Sequence, residues 1–228
     1  MMVVDLAAST RRELNEQLHR LPADTNQTLW RVENPHGQHA LAVGLNTPVT
    51  VEIAGHAGYY CAGMNSRATV VVEGNAGVGV AENMMSGKVH VKGDASQSAG
   101  ATANGGLLVI DGDASARCGI SMKGVDIVVK GSIGPMSAFM AQSGNLVVLG
   151  DAGDALGDSI YEARLFVRGK VKSLGADCVE KPMRDEHLVE LRRLLEAAGV
   201  TAVQPGDFKR YGSARRLYNF HVDHASAY

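Results

Sequence analysis

The sequence predicts an all-β fold: a right-handed parallel β-helix solenoid of about seven 19-residue coils, with a short capping helix near each end. Three observations predict it. Gly55, Gly74, Gly93, Gly112, Gly131, Gly150 and Gly169 follow one another at a spacing of nineteen. Each closes a short apolar run: VTVEIAG, ATVVVEG, KVHVKG, LLVIDG, DIVVKG, NLVVLG and RLFVRG. Nineteen residues are too few for a βαβ unit, which needs about 30, but enough for one coil of short strands joined by tight corners. A fixed period of this kind marks a stacked-repeat architecture.

The elements divide into residues 1–44, a helix and lead-in strands; 45–180, the β-helix; and 181–228, a capping helix and a partner-docking tail. Thr10 and Glu13 form a capping-box pattern ahead of Leu14, Leu18 and Leu21, so a helix is expected from about 10 to 21, ending before Pro22. Residues 28–53 alternate enough to enter the solenoid as strands.

Inside the repeat, the residues two and four before each glycine are all aliphatic, from Val51 and Ile53 to Leu165 and Val167. Period-two spacing puts them on one strand face, and burial of that face spares the charges beside them. The column one before the glycine points outward and alternates in sign over Glu73, Lys92, Asp111 and Lys130, so each charge is expected beside an opposite one. The column three before also points outward, yet Val71, Val109, Val128, Val147 and Phe166 make most of it apolar. Either a terminal segment of this chain or another protein should cover it. Downstream, Asp185 to Ala198 carries Leu188, Leu191, Leu194 and Leu195 at helical spacing and stops at Gly199, a helix expected to cap the open end.

The repeat glycines mark corners where φ is positive or where a side chain would meet the next layer. Asn75, Asp94, Asp113 and Asp151 directly follow repeat glycines and form turn dipeptides; the nine-residue calcium repeat is absent. Met64, Met84, Met122 and Met140 lie nine or ten residues after a repeat glycine, either as core filling or as an adaptable contact surface.

The tail interleaves Phe208, Lys209, Arg210, Tyr211, Arg215, Arg216 and Tyr218, residue types that suit docking on a partner, with packing on the chain's own solenoid as the alternative. A nucleic-acid role is disfavoured by the small patch and by the net charge of −2, from 22 basic and 24 acidic residues. His221 and His224 form H-x-x-H without a third ligand in view. No apolar stretch approaches the ~20 residues of a membrane span, and Asp5 interrupts any signal-peptide core. Cys61 and Cys118 are 57 residues apart, the same phase three layers on, roughly 14 Å at ~4.8 Å per layer. They are expected to be free thiols, which fits the cytoplasm. There is no P-loop, dinucleotide fingerprint or nucleophile elbow, so no catalytic residue, cofactor or metal is expected in this chain.

The G-x-x-G beginnings at Gly55, Gly74, Gly131 and Gly150, spaced by nineteens, resemble the glycine-rich (GXGXG) β-helix domain that ends the large subunit of glutamate synthase. Similar domains occur in a formylmethanofuran dehydrogenase subunit. The resemblance covers roughly residues 45–180, with Ser96, Ser115 and Lys172 replacing the second glycine in three coils. A chain of 228 residues beginning Met1-Met2 has neither the N-terminal cysteine of an amidotransferase nor room for a flavin barrel. It is similar instead to the stand-alone β-helix subunit of N-methylglutamate synthase and glutamate-synthase-like complexes. That resemblance implies a non-catalytic structural subunit in methylamine metabolism. Its partners would be a class II glutamine amidotransferase-like subunit and a flavin subunit that carries FMN and an iron–sulfur cluster. The chain would be a rod of roughly 30 Å that holds two active sites apart. The alternatives are a complex that transfers glutamine amide nitrogen to a 2-oxo acid, and a self-sufficient β-helix enzyme.

Overall fold

The computed structural model describes residues 1–217; Tyr218, Phe220, His221 and His224 lie outside the described residues. The described residues form an 11-stranded sheet in the order β1-β2-β3-β4-β5-β6-β7-β8-β9-β11-β10. The strands are β1 (Met2–Asp5), β2 (Leu29–Glu33), β3 (Thr50–Ile53), β4 (Thr69–Val72), β5 (Lys88–Val91), β6 (Leu107–Ile110), β7 (Lys123–Val129), β8 (Ser143–Val148), β9 (Arg164–Val167), β10 (Cys178–Lys181) and β11 (Lys209–Ser213). Every pairing from β1 to β9 is parallel. From Val51 the register advances by nineteen residues per layer, through Val70, Val89, Leu108, Ile127 and Leu146 to Leu165. The step from Trp30 in β2 to Val51 is 21 residues, which hides that coil from a search for nineteens. The result is a solenoid of about seven turns. A second column of parallel bridges, Ala57–Ala76–Ala95–Ala114–Ile133–Ala152–Val171, marks another wall.

The aliphatic pairs fill the interior: Val51, Ile53, Val70, Val72, Leu108 and Ile110 are fully buried. Helix α1 (Arg11–His19) starts at Thr10 with the expected capping box. It buries Leu14 and Leu18 in the same core. Asn15 Nδ2 donates to the carbonyl of Ala40 at 2.7 Å, and His19 Nε2 lies 2.6 Å from the carbonyl of Val43. The helix stops two residues before the expected Leu21, because Pro22 biases its predecessor away from helical geometry.

The repeat glycines prove to be a matter of space. Gly55 alone among the seven has a positive φ, +147°. At Gly93 and Gly112 a Cβ would collide with Asn75 Oδ1 and Asp94 Oδ1 of the preceding coil. Those same oxygens accept the backbone N–H of Asp94 (2.9 Å) and Asp113 (2.8 Å). The ladder continues from Asp113 to Ser132 N, Ser132 to Asp151 N, and Asp151 to Lys170 N. The residues after the glycines therefore do more than make turns: each stitches its coil to the next.

Left-handed backbone appears elsewhere, in the opposite corner. Every second residue there has φ near +60°: Tyr60, Ala62 and Met64, then Gly79, Ala81 and Asn83, then Ser98, Gly100 and Thr102. Such geometry costs an L-residue roughly 1–2 kcal/mol. It persists because stacking over-determines it: Tyr60 N donates to Val78 O and Met64 N to Glu82 O in the coil above, while Ala62 N donates to Leu41 O below.

Helix α2 (Asp185–Ala197) corrects one expectation and answers another. It lies along the side of the solenoid and not across the end, where the sequence placed it. Leu191, Leu194 and Leu195, with Phe208, cover Val109, Val128, Val147 and Phe166, all of them fully buried, so a terminal segment of this chain covers the apolar outer column. The column five before the glycine holds the helix's polar flank. Lys88 Nζ donates to Ala197 O at its C-terminus (3.2 Å), where a cation complements the helix dipole. Arg193 bridges to Asp126 at 2.7 Å. Thirteen residues at 1.5 Å span about 20 Å, close to the ~19 Å of the four layer spacings from β5 to β9. What stands at the C-terminal edge of the stack is antiparallel: β11 pairs with β9 and β10 with β11.

Two columns also resolve. Met84 and Met122 are fully buried, whereas Met64 and Met140 are 47% and 38% exposed one position earlier in the repeat. In the charge stack, Lys130 approaches Asp111 at 2.7 Å, and His90 of the column three before the glycine approaches it at 2.9 Å, but Glu73 and Lys92 are exposed and form no ion pair among the described residues.

Candidate functional site

A cleft of about 770 Å³ lies beside the last coils, where β8, β9, the start of α2 and β11 meet. Five cationic side chains line it: Arg164 from β9, Lys181 from β10, Arg184 at the N-cap of α2, Arg210 from β11, and Arg215 just beyond. Glu162 is the one carboxylate among the lining residues, and Arg215 bridges to it at 2.9 Å. Arg210 spends its Nε on the carbonyl of Pro182 (3.2 Å). Burial, then the nearby Arg164 and Arg184, hold its guanidinium below the ordinary pKa.

Three polar side chains in the lining are almost fully enclosed: Asn145, His187 and Ser213, at 7%, 4% and 6% exposure. His187 Nδ1 accepts the backbone N–H of Arg184 at 3.1 Å, which places the proton of the neutral ring on Nε2. Burial, then the charge of Arg210, hold its pKa below the usual 6.5. Asn145 Nδ2 donates to Asp126 Oδ1 (2.8 Å) and Glu190 Oε1 (3.2 Å). Asn145 Oδ1 is buried without a partner among the described residues. Ser213 Oγ donates to Asp177 Oδ2 at 2.5 Å.

The tail residues separate into two groups. Phe208 and Tyr211 are buried against the chain's own solenoid. Lys209 is exposed and bridges to Glu180 at 3.1 Å. Arg210 and Arg215 line the cleft, and Arg216 N donates to Asp177 Oδ1 at 2.9 Å. Arg164, Lys181, Arg184, His187 and Asn145 escaped the sequence reading. A faint signal existed: five before the glycine, Thr50 and Thr69 give way to Asp126, Asn145 and Arg164 in the last coils.

Among the described residues no cluster of three His, Cys, Asp or Glu could hold a metal, and no helix is long and apolar enough to cross a membrane. Cys61, Cys118 and Cys178 are free and buried, and desolvation pushes each thiol up to about 12. The lining of the cleft offers charge recognition: guanidinium forks, an ammonium and a neutral N–H donor.

No protein-family model matches the chain. Over all 228 residues it is 66% identical to Protein GlxC of Rhizobium meliloti (strain 1021), and the match also covers the whole of that protein. Identity at that level along both sequences makes them relatives throughout: the chain belongs to the GlxC family.

Proposed function

We propose that the chain is a non-catalytic structural subunit of a glutamate-synthase-related complex, and specifically of N-methylglutamate synthase, which makes N-methyl-L-glutamate and ammonia from methylamine and L-glutamate. The observation that carries this reading is the 19-residue register kept from β3 to β9, shifted by one residue only at the start of β7, between Lys123 and Asp126. It leaves no inserted loop in which acid–base groups could gather, and each layer is tied to the next by backbone bridges and the Asn/Asp/Ser ladder. A stiff rod suits a spacer that holds an amidotransferase-like subunit and a subunit with FMN and an iron–sulfur cluster at fixed separation. The glycine spacing and full-length likeness to GlxC support the same reading. The coils are taken as right-handed, the hand of almost all parallel crossovers. Helix α1, bonded to Ala40 and Val43, is taken as the N-terminal cap. Three buried free thiols suit the cytoplasm.

Affinity purification of the full chain from its native cell tests the proposal. Recovery of both partner subunits, with methylamine-dependent formation of N-methylglutamate, is expected. Glutamine-dependent amination of a 2-oxo acid would move the complex to the second class. A lone monomer that turns over a sugar or acyl substrate would overturn the reading.

A further inference from the structure

The cationic cleft is more than a spacer requires. The chain as a whole carries a net charge of −2, yet five cations converge here on one carboxylate, which Arg215 already engages. Arg164 and Lys181 form no ion pair among the described residues, and Arg184 reaches only the exposed Glu186, at 3.8 Å. Holding like charges together without partners opposes folding; an anion in the cleft removes that opposition. The lining is also built: Asn145, His187 and Ser213 are each more than nine-tenths buried. His187 is fixed by its bond from Arg184 N, and its Nε2–H stands 3.7 Å from Glu186 Oε1, too far for a hydrogen bond, which leaves that donor for a ligand. The volume lies in the range of small-ligand sites, and the surroundings are too polar for an apolar ligand.

We propose that this cleft binds a small dianion, a dicarboxylate or a phosphate, gripped by the guanidinium groups of Arg164 and Arg210 with Lys181 beside them and His187 Nε2–H as a further donor. Planar guanidinium forks match both oxyanions with paired hydrogen bonds. Neutral His187 adds a directed donor without adding a sixth charge. The ligand belongs to this chain alone, so its test stands apart from membership of any complex.

The test is calorimetric titration of the purified full chain with succinate, with inorganic phosphate and with chloride, at constant ionic strength. Saturable one-to-one binding of one dianion is expected, with Kd of about 1 mM or tighter; the dianion that binds identifies the headgroup. Arg164 is exposed, so Arg164→Gln should fold, and it is expected to weaken binding about tenfold, the value of one charge-assisted hydrogen bond. Arg210→Gln should do the same, whereas Lys209→Gln, on the same strand but bridged to Glu180, should leave binding unchanged. Dianion binding no tighter than that of chloride, or equal binding by Arg164→Gln, overturns the proposal. So does binding of an oligoglutamate peptide while both small dianions fail, which would make the cleft a docking surface for an acidic partner segment.

Discussion

Asp94 Oδ1 accepts the backbone N–H of Asp113 at 2.8 Å, and it does so from the space that a Cβ on Gly112 would need. Side chain and missing side chain are one device. Gly112→Ala is expected to destabilise the fold by roughly 1–3 kcal/mol through overpacking, and by about 1 kcal/mol more where the ladder bond breaks. Urea denaturation should show a lower midpoint at unchanged slope. In an Asp94→Ala background the same substitution should cost less. The relief is partial, because the carbonyl of Gly93 also stands 2.9 Å from the added Cβ. Strict additivity of the two substitutions would refute the coupling.

The outer column gives two outcomes from one repeat position. Phe166 is fully buried under α2, so Phe166→Ala is expected to cost about 3–5 kcal/mol. Val71 occupies the same position five layers away and is only half-buried. Val71→Ala should cost under about 1 kcal/mol. Comparable losses at the two sites would mean that α2 does not dock as described.

What the sequence makes legible is whatever repeats. The inward Val51/Ile53 pairs, the glycines and the apolar outer column that needs a cover all follow from period and parity, which are local. The misses have non-local causes. The coil from β2 is two residues longer than the rest, so Trp30 falls outside the nineteens. Strand β11 is selected by β9, more than 40 residues earlier, and no pattern within Lys209–Ser213 announces that pairing. Helix α2 has the same apolar stripe whether it lies on an end or a side; Lys88 and Asp126 decide the matter from far upstream. Alternate left-handed residues such as Ala62 and Met64 defy local preference altogether, since only the coils above and below sustain them. The cleft is hardest to read, because Arg164, Arg184 and Arg210 come from three segments and acquire meaning only when those segments meet.

Acid should expose the neutral state of His187. Its folded pKa lies below the ordinary 6.5, first through burial and then through Arg210, opposed by Glu186, with Arg164 and Arg184 adding to the effect. The unfolded chain therefore binds the proton more readily. This contribution to stability is full above about pH 6.5 and is lost as the pH falls below that value. Asp111, Asp177 and Glu190 also have lowered pKa values, but they titrate in the lower carboxylate range. Urea midpoints compared between pH 7 and about pH 5 should fall less steeply for His187→Gln than for the parent chain. Equal slopes would show that His187 gains its proton as freely folded as unfolded.

The three cysteines report on which part of the rod opens first. Each thiol is pushed up to about 12, so at pH 8 the thiolate that reacts with a disulfide reagent is present at about one part in ten thousand. Labelling then requires opening of the surrounding structure. Cys61 and Cys118 sit inside stacked coils with layers on both sides, fully buried. Cys178 begins β10, which among the described residues is the last strand of the sheet and pairs only with β11. Fraying of that edge should expose Cys178 well before the coils separate. Native labelling should therefore show one faster thiol, abolished by Cys178→Ala, and two slow ones whose rates rise with urea in step with global unfolding. Three equal rates would mean that the antiparallel edge and the solenoid open as one unit.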